Sequence, residues 1–483
     1  MSDTNDIPRD PAAEPVAIDA SCQRPVLFLL LSALLWLALA AALNLLAAAK
    51  VHAPALLADC PILTYGHVRP AAAAAFLYGF AGNAVLGVTL WILCRLRGVE
   101  LRWPSIVIIG GVLWNTGATA GLYGILAHGP AGFEGMEMPA YAGRVLIPGY
   151  ALIALSAVAT YFARRHTQLY VSSWYLIGAL VAFPWIFLSA HWLLLDHPVR
   201  GIAQAAVSWW TLTSLREIWL GCAGLAVLFY FIPKVLERPL HSRQLAAFGF
   251  WGLLAVGGWT GLHIGAPLPV WMTKLSQFAC LLFAFPLFAV WWNFKKTREA
   301  VPLVGSEHPV LKYAGVALGA YMVAGLITVL RSHPDINAVL QYTYATAGHH
   351  NLFLWGFFAM AMFAAVHEIA PRLAGGAWGC ANTLRWTFRL AAAGVVLQAV
   401  PAILMAISHG QALGSKVTND TLLMQKALLP MRASVLGDLL LALVPLLLLG
   451  SFIALLARTC CSCCNPMELI KMLKEARNDG GVE

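Results

Sequence analysis

Long apolar segments recur along almost the whole chain and are separated by short polar stretches. Each segment has roughly 20 apolar residues, the length that an α-helix needs to cross the hydrocarbon core of a bilayer. We therefore predict an all-α integral membrane protein with about 12 transmembrane helices. The predicted spans are residues 26–49, 71–94, 104–127, 144–163, 173–195, 203–232, 244–265, 270–293, 311–331, 348–370, 386–409 and 434–457.

The two ends of the chain lack this apolar pattern. Residues 1–24 combine several prolines with acidic and small residues, which predicts a disordered cytoplasmic tail. Residues 459–483 begin with TCCSCCNP and continue with charged residues. The expected organisation is a tail at 1–24, a membrane domain at 25–458 and a second cytoplasmic tail at 459–483.

Lysine and arginine residues mark alternate connections between the spans. Connections rich in these residues stay on the cytoplasmic side of a membrane, so they define one face of the bundle. An even number of spans then places both termini in the cytoplasm. The basic connections contain Arg95, Arg97, Arg102, Arg164, Arg165, Lys234, Arg238, Arg243, Lys295, Lys296, Arg298, Arg372 and Arg385.

The composition supports a membrane location and argues against a nucleic-acid partner. Apolar residues make up 60% of the chain, charged residues only 11%, and the mean hydropathy is +0.74. A water-soluble fold cannot bury that much apolar surface, so the expected surroundings are membrane lipid. The net charge of +9 is scattered over short loops rather than gathered in one stripe, which argues against a nucleic-acid partner.

The cysteines do not form the framework of a secreted protein. Six of the ten are isolated, and the other four lie just after the last span. Membrane-proximal cysteines on the cytoplasmic side are commonly acylated, so a reduced or lipidated cluster is predicted. Zinc or an iron–sulfur cluster is the alternative, but such dense spacing folds poorly around one tetrahedral ion. The cluster consists of Cys460, Cys461, Cys463 and Cys464.

A charged residue inside a membrane span is costly and needs a partner or a task. Arg216 and Glu217 are adjacent in the middle of the sixth predicted span. Neighbouring positions on a helix are about 100° apart, so the two side chains are predicted to face different neighbours rather than each other. A structural ion pair with another helix is the plainer interpretation, and a proton or substrate path is the alternative.

Four histidines lie at the ends of predicted spans: His191, His263 and the adjacent His349 and His350. A lone histidine in a membrane helix is usually a hydrogen-bonded packing residue, which is the expectation for His191. In the adjacent pair, one ring can face the bundle interior and the other cannot. His263, His349 and His350 are therefore polar groups that need a partner or a task inside the membrane, and the family resemblance described below makes them candidate ligands.

Several ordered motifs resemble one family. The segment Gln204 to Lys234, QAAVSWWTLTSLREIWLGCAGLAVLFYFIPK, resembles without a gap the sixth-helix segment of subunit I of cbb3-type cytochrome c oxidases, which are related to nitric oxide reductases. Four further segments are similar in the same order, and together they cover nearly the whole chain. They are HVRPAAAAAFLYGFAGNA, QLYVSSWY, GGWTGLHIGAPLPVW and GHHNLFLWGFFAMAMFAAVHEIAPRL.

The resemblance implies a heme-copper oxidase subunit I-like bundle with six histidine ligands. Low-spin heme takes two imidazoles, high-spin heme one and the active-site copper three. This sequence departs from that pattern at most positions. The family's low-spin histidine of the second helix falls at Ala72, its first copper histidine at Thr213, its paired copper histidines at Leu262 and His263, its active-site tyrosine at Gly257, its high-spin histidine at Gly348 and its other low-spin histidine at His350.

Two functions follow from the resemblance, and a third from the number of spans. The resemblance implies a subunit in the bacterial inner membrane that works with a c-type cytochrome or other respiratory subunits. Either the chain has lost its metals and serves as a structural, assembly or regulatory subunit, or His350, His349 and His67 hold heme b in a rearranged way, with copper not expected. A secondary transporter is the alternative from a different class, since twelve spans with both ends inside suit many carriers.

Overall fold

A computed structural model describes residues 13–163, 170–299, 307–341, 343–414 and 420–463. The described chain folds into a bundle of helices, and no strand occurs in these ranges. Residues 1–12 of the predicted N-terminal tail, and Cys464 with the chain that follows it, lie outside them. The helices are α1 Ala13–His52, α2 Tyr65–Arg97, α3 Pro104–His128, α4 Ala140–Phe162, α5 Val171–Asp196, α6 Ile202–Val235, α7 Arg243–Val256, α8 Val270–Thr297, α9 Pro309–Leu330, α10 Tyr344–Ala374, α11 Ala381–Gly414 and α12 Asp420–Cys463.

Eleven of these helices are long and apolar enough to cross a membrane, by length and composition. The exception is α7, which the sequence predicted to extend over 244–265. The α-helix ends at Val256 and is followed only by the 3₁₀ turn Gly257–Trp259. Gly257 and Gly258 weaken the helix, and the prolines at 267 and 269 prevent its continuation. The residues from 260 to 269 therefore form a loop rather than the end of a span.

The first helix begins earlier than the sequence predicted. Residues 13–24 belong to α1, so the expectation of a disordered tail is wrong for this part. Ile18 and Cys22 are buried, and Asp19 accepts a hydrogen bond of 2.9 Å from the Trp91 indole. Asp19 also lies 3.6 Å from the Arg95 guanidinium. These contacts with the end of α2 stabilise a segment that has no apolar period of its own.

Three helices form the centre of the bundle. Within their most apolar windows, 94% of α2, 83% of α6 and 89% of α10 is buried, against 39–50% for the other long helices. The outer helices expose apolar side chains, as expected for surfaces that face lipid. Residues that line a site inside the protein must therefore come mainly from α2, α6 and α10.

Each central helix contains a π-helical segment, in which the backbone hydrogen bonds skip one more residue than in an α-helix. The segments are Ala75–Ala81 in α2, Ser214–Leu220 in α6 and Leu352–Ala359 in α10. A fourth, His191–Asp196, ends α5. Such segments are uncommon and change the direction in which the following side chains point.

Candidate functional site

A cavity of about 560 Å³ lies where α6, α10 and the loop after α7 meet. The residues of its wall lie in the α3–α4 loop, at the start of α6, in the loop after α7, at the end of α9 and at the start of α10. The basic loops lie at the other ends of these helices, so the cavity is at the opposite end of the bundle. Both guanidinium and imidazole groups reach it, together with hydroxyl and amide groups. The polar residues of the wall are Glu134, Gln204, Ser208, Thr213, Arg216, His263, Arg331, Thr343, Thr346 and His350.

Arg216 and Glu217 form an ion pair with each other inside α6. Arg216 Nε donates to Glu217 Oε1 over 3.0 Å, and only 7% and 2% of the two side chains is exposed. The prediction that they face different neighbours is wrong. Both residues lie in the π-helical segment Ser214–Leu220, and both side chains are long enough to turn back to one another. Arg216 also lines the cavity, whereas Glu217 lies behind it.

The adjacent histidines point to different places. His349 is buried, and its Nε2 lies 3.1 Å from the Ala324 carbonyl oxygen and 3.2 Å from Thr328 Oγ1, both on α9. His350 lines the cavity. Both rings therefore lie inside the bundle, so the prediction that one of them cannot face its interior is wrong. Only one of the two, His350, is part of the cavity wall.

His263 also reaches the cavity, from the loop after α7. Its ring lies 4.4 Å from the Trp209 ring in an edge-to-face arrangement. Burial, and then the positive charge of Arg331, lowers the pKa of His263 to about 4. The imidazole is therefore neutral at pH 7 and can donate or accept a hydrogen bond.

His191 is a packing residue, as predicted. Its Nδ1 lies 2.9 Å from Asp196 Oδ2, and its Nε2 lies 3.0 Å from the Ala140 carbonyl oxygen. Arg144 completes the group with a contact of 2.7 Å to Asp196. Nε2 thus joins α5 to the start of α4, while Nδ1 contacts Asp196 within α5, outside the cavity.

The loop between α3 and α4 closes one side of the cavity with Gly132, Phe133 and Glu134. Glu137 holds this loop, because its Oε1 accepts a 2.9 Å hydrogen bond from the Gly135 amide. Burial raises the pKa of Glu137 to about 7, and the backbone hydrogen bonds oppose that rise. The position of this part of the wall therefore depends on a carboxyl group that titrates near neutral pH.

Sequence reasoning missed Arg331. It caps the end of α9, and its Nε lies 3.4 Å from Asn337 Oδ1. Burial lowers the pKa of Arg331, and the nearby Arg216 acts in the same direction. No clear signal for it was present in the sequence, because Arg69, Arg144 and Arg200 lie at the same end of the bundle.

Comparison with known proteins identifies the family. The family model for cytochrome c and quinol oxidase polypeptide I matches residues 24–439. The chain belongs to the heme-copper oxidase subunit I family.

Relatives of this subunit I chain carry related names. It is 25% identical over 395 residues to the cytochrome c oxidase subunit 1 homolog, bacteroid, of Bradyrhizobium diazoefficiens, covering 77% of this chain and 70% of that protein. It is 26% identical over 391 residues to the cbb3-type cytochrome c oxidase subunit CcoN1 of Stutzerimonas stutzeri, covering 76% and 80%. The cryo-EM structure of a heme-copper terminal oxidase dimer matches the fold with a TM-score of 0.64 at 12% identity, covering 92% of this chain and 84% of that one.

In the structure, only some of the positions that correspond to the family's metal ligands line the cavity. Thr213, His263 and His350 share the cavity wall, whereas Ala72 and Gly348 are absent from it. The resemblance placed His350 at a low-spin heme position, but its ring lies with two positions assigned to copper. A position in the sequence motif does not by itself give the direction in which the His350 ring points.

The residues present fit neither the copper site nor a heme with two axial imidazoles. Ala72 is buried and has no ligating atom. Gly348 packs so closely on α11 that an added Cβ would lie 2.9 Å from Ile403 and 3.1 Å from the Ala399 carbonyl oxygen. Across the part of the chain that the structure describes, no three His, Cys, Asp or Glu side chains are grouped to hold a metal ion. The imidazoles of the cavity wall are those of His263 and His350, and His350 is the one that the resemblance assigns to heme.

Proposed function

We propose that this chain is a subunit I-like component of a cbb3-type cytochrome c oxidase or related respiratory complex in the bacterial inner membrane, and that it works there without the family's metals. Its role is structural, in assembly or in regulation. A c-type cytochrome or other respiratory subunits are the partners. Family membership supports the place in such a complex, because its relatives are named as oxidase subunits.

One observation supports the proposed loss of metals. The cavity wall contains two imidazoles, those of His263 and His350, whereas the family's chemistry requires several more. Thr213 cannot replace an imidazole on copper, since a neutral hydroxyl is a poor ligand for that metal. His349 cannot compensate without breaking its contacts with Ala324 and Thr328. The chain therefore keeps the scaffold and not the ligand set.

A second function is favoured by the direction of His350. Its ring faces a cavity of about 560 Å³, so a heme with one axial imidazole, serving electron transfer or oxygen or nitric oxide reduction, is the alternative. His350 is then the ligand to test, and His349 is the matched control beside it in the sequence.

A reduced-minus-oxidised absorption spectrum of the purified chain, with heme and copper assays on the same sample, tests the proposal. We expect neither heme nor copper in stoichiometric amount. Roughly one heme per chain that is lost in His350→Ala and kept in His349→Ala would contradict the proposal and support the alternative.

A further inference from the structure

The cavity contains two arginines whose charges are only partly compensated. Arg216 uses Nε for Glu217, and Arg331 uses Nε for Asn337. Among the described residues, neither guanidinium donates a further hydrogen bond from its terminal nitrogens, and both side chains are part of the cavity wall. Each arginine therefore presents the end of its planar fork to the same space.

Two guanidinium groups in one partly enclosed space repel each other unless an anion lies between them. Arg216 is almost fully buried, and the contact of Arg331 with Asn337 is long and neutral. Removing a cation from water is unfavourable and is offset only by an opposite charge with good geometry. Glu217 supplies that charge for Arg216, but no carboxylate of the described residues forms an ion pair with Arg331.

The remaining groups of the wall also suit an anion. The imidazoles of His263 and His350 can donate hydrogen bonds, as can the hydroxyl groups of Ser208 and Thr346. Glu134 is the one carboxylate on the wall, and it is exposed at the rim, where water screens its charge. The buried part of the cavity wall therefore carries positive charge, and the negative charge of Glu134 lies at the exposed edge.

We propose that this cavity binds a small oxoanion, such as sulfate or nitrate, between the guanidinium groups of Arg216 and Arg331. Guanidinium forks match the oxygen spacing of such anions and hold them by paired, charge-assisted hydrogen bonds. The Glu217 carboxylate positions the Arg216 fork by fixing its Nε edge. The anion enters from the end of the bundle opposite the basic loops.

Equilibrium binding of ³⁵S-labelled sulfate to the purified full chain in detergent, at constant ionic strength in chloride, tests the site. We expect saturable binding of about one sulfate per chain. Arg331→Gln should weaken binding about tenfold to a hundredfold, as expected for the loss of a charged hydrogen-bonding partner. Arg389→Gln, an exposed arginine on α11, is the matched control and should bind sulfate as the native chain does.

A second variant keeps the test decisive if Arg331→Gln is not folded. Ser208→Phe fills the cavity from its wall and leaves both arginines in place, so it should abolish sulfate binding while the chain elutes as a folded species in gel filtration. Absence of saturable binding to the native chain, or equal binding by native chain, Arg331→Gln and Ser208→Phe, would overturn the proposal. Competition by nitrate at low concentration, with none by added chloride, is the expected result, and equal competition by chloride would overturn the assignment to an oxoanion.

The anion site rests on the proposed function, because a heme held by His350 would occupy the same cavity. Heme and copper are measured on the same preparation, so a chain that contains stoichiometric heme contradicts the proposed function, whatever its sulfate binding. A chain that contains neither heme nor sulfate would contradict the anion site alone.

Discussion

The two ends of the central helix α6 differ in how they are filled. Near its beginning, Ser208, Thr213 and Arg216 line an open polar cavity. Beyond it, residues from 221 to 233 are buried and pack against aromatic rings, with Gly224 directly against Phe357. The family's scaffold is thus closed by apolar packing in one half and open in the other. Within α6, the residues that line this cavity all lie in the first half of the helix.

The largest effect should come from breaking the Arg216–Glu217 pair, which lies at the boundary between the two halves. Removing one partner of a buried pair costs about 3–5 kcal/mol. Arg216→Met should be the more destabilising change, because it leaves the Glu217 carboxylate in the closed half. Glu217→Leu should cost less, because cavity water can still reach Arg216. Thermal unfolding in detergent measures both changes.

The double variant Arg216→Met/Glu217→Leu is the control for this pair. It removes both charges, so it should recover much of the stability that Arg216→Met loses. If Glu217→Leu is as destabilising as Arg216→Met, the cavity does not hydrate Arg216 and the two halves are not electrostatically different.

A smaller effect is expected from adding volume to each half of the same helix. A Cβ at Gly224 would lie 2.5 Å from Phe357 Cζ, so Gly224→Leu should destabilise the chain by about 1–3 kcal/mol. Ser208→Leu, at the cavity wall, should change the unfolding temperature little. Equal losses in the two variants would show that the cavity is as tightly packed in solution as the closed half.

The smallest effect concerns the pH dependence of the cavity wall. The pKa of Glu137 is raised to about 7 from an ordinary value of 4.5, so its neutral form is favoured in the folded chain. Stability from this group is fully present below the ordinary value and is lost as the pH rises through about 7. The effect is limited because the loop can open locally and expose the carboxylate without unfolding the bundle.

Unfolding temperatures at several values between about pH 5 and about pH 8 measure this dependence. Glu137→Gln should flatten the decline that the native chain shows over that range, and Glu134→Gln, at the exposed rim, should leave it unchanged. A decline that is identical in Glu137→Gln and the native chain would mean that this carboxyl group does not titrate in the folded state.

The sequence predicted the class of fold well because apolar length alone selects membrane helices. It also identified the family, since the motif at Gln204–Lys234 keeps its order and spacing. It did not predict which side chains share a site. The pairing of Arg216 with Glu217 and the direction of His350 depend on helical phase, which the π-helical segments alter. Arg331 was missed because its role depends on the tertiary contact of α9 with the cavity.

The π-helical segments have a consequence for variation among related genes. In an ordinary buried α-helix, losing one codon rotates everything beyond the deletion by about 100° and is disruptive. In α10, losing one residue within Leu352–Ala359 would restore regular α-helical hydrogen bonding while turning His350 away from its present direction. A single insertion or deletion can therefore redirect the side chains that line the cavity, while the packing of the helices in the interior keeps its register.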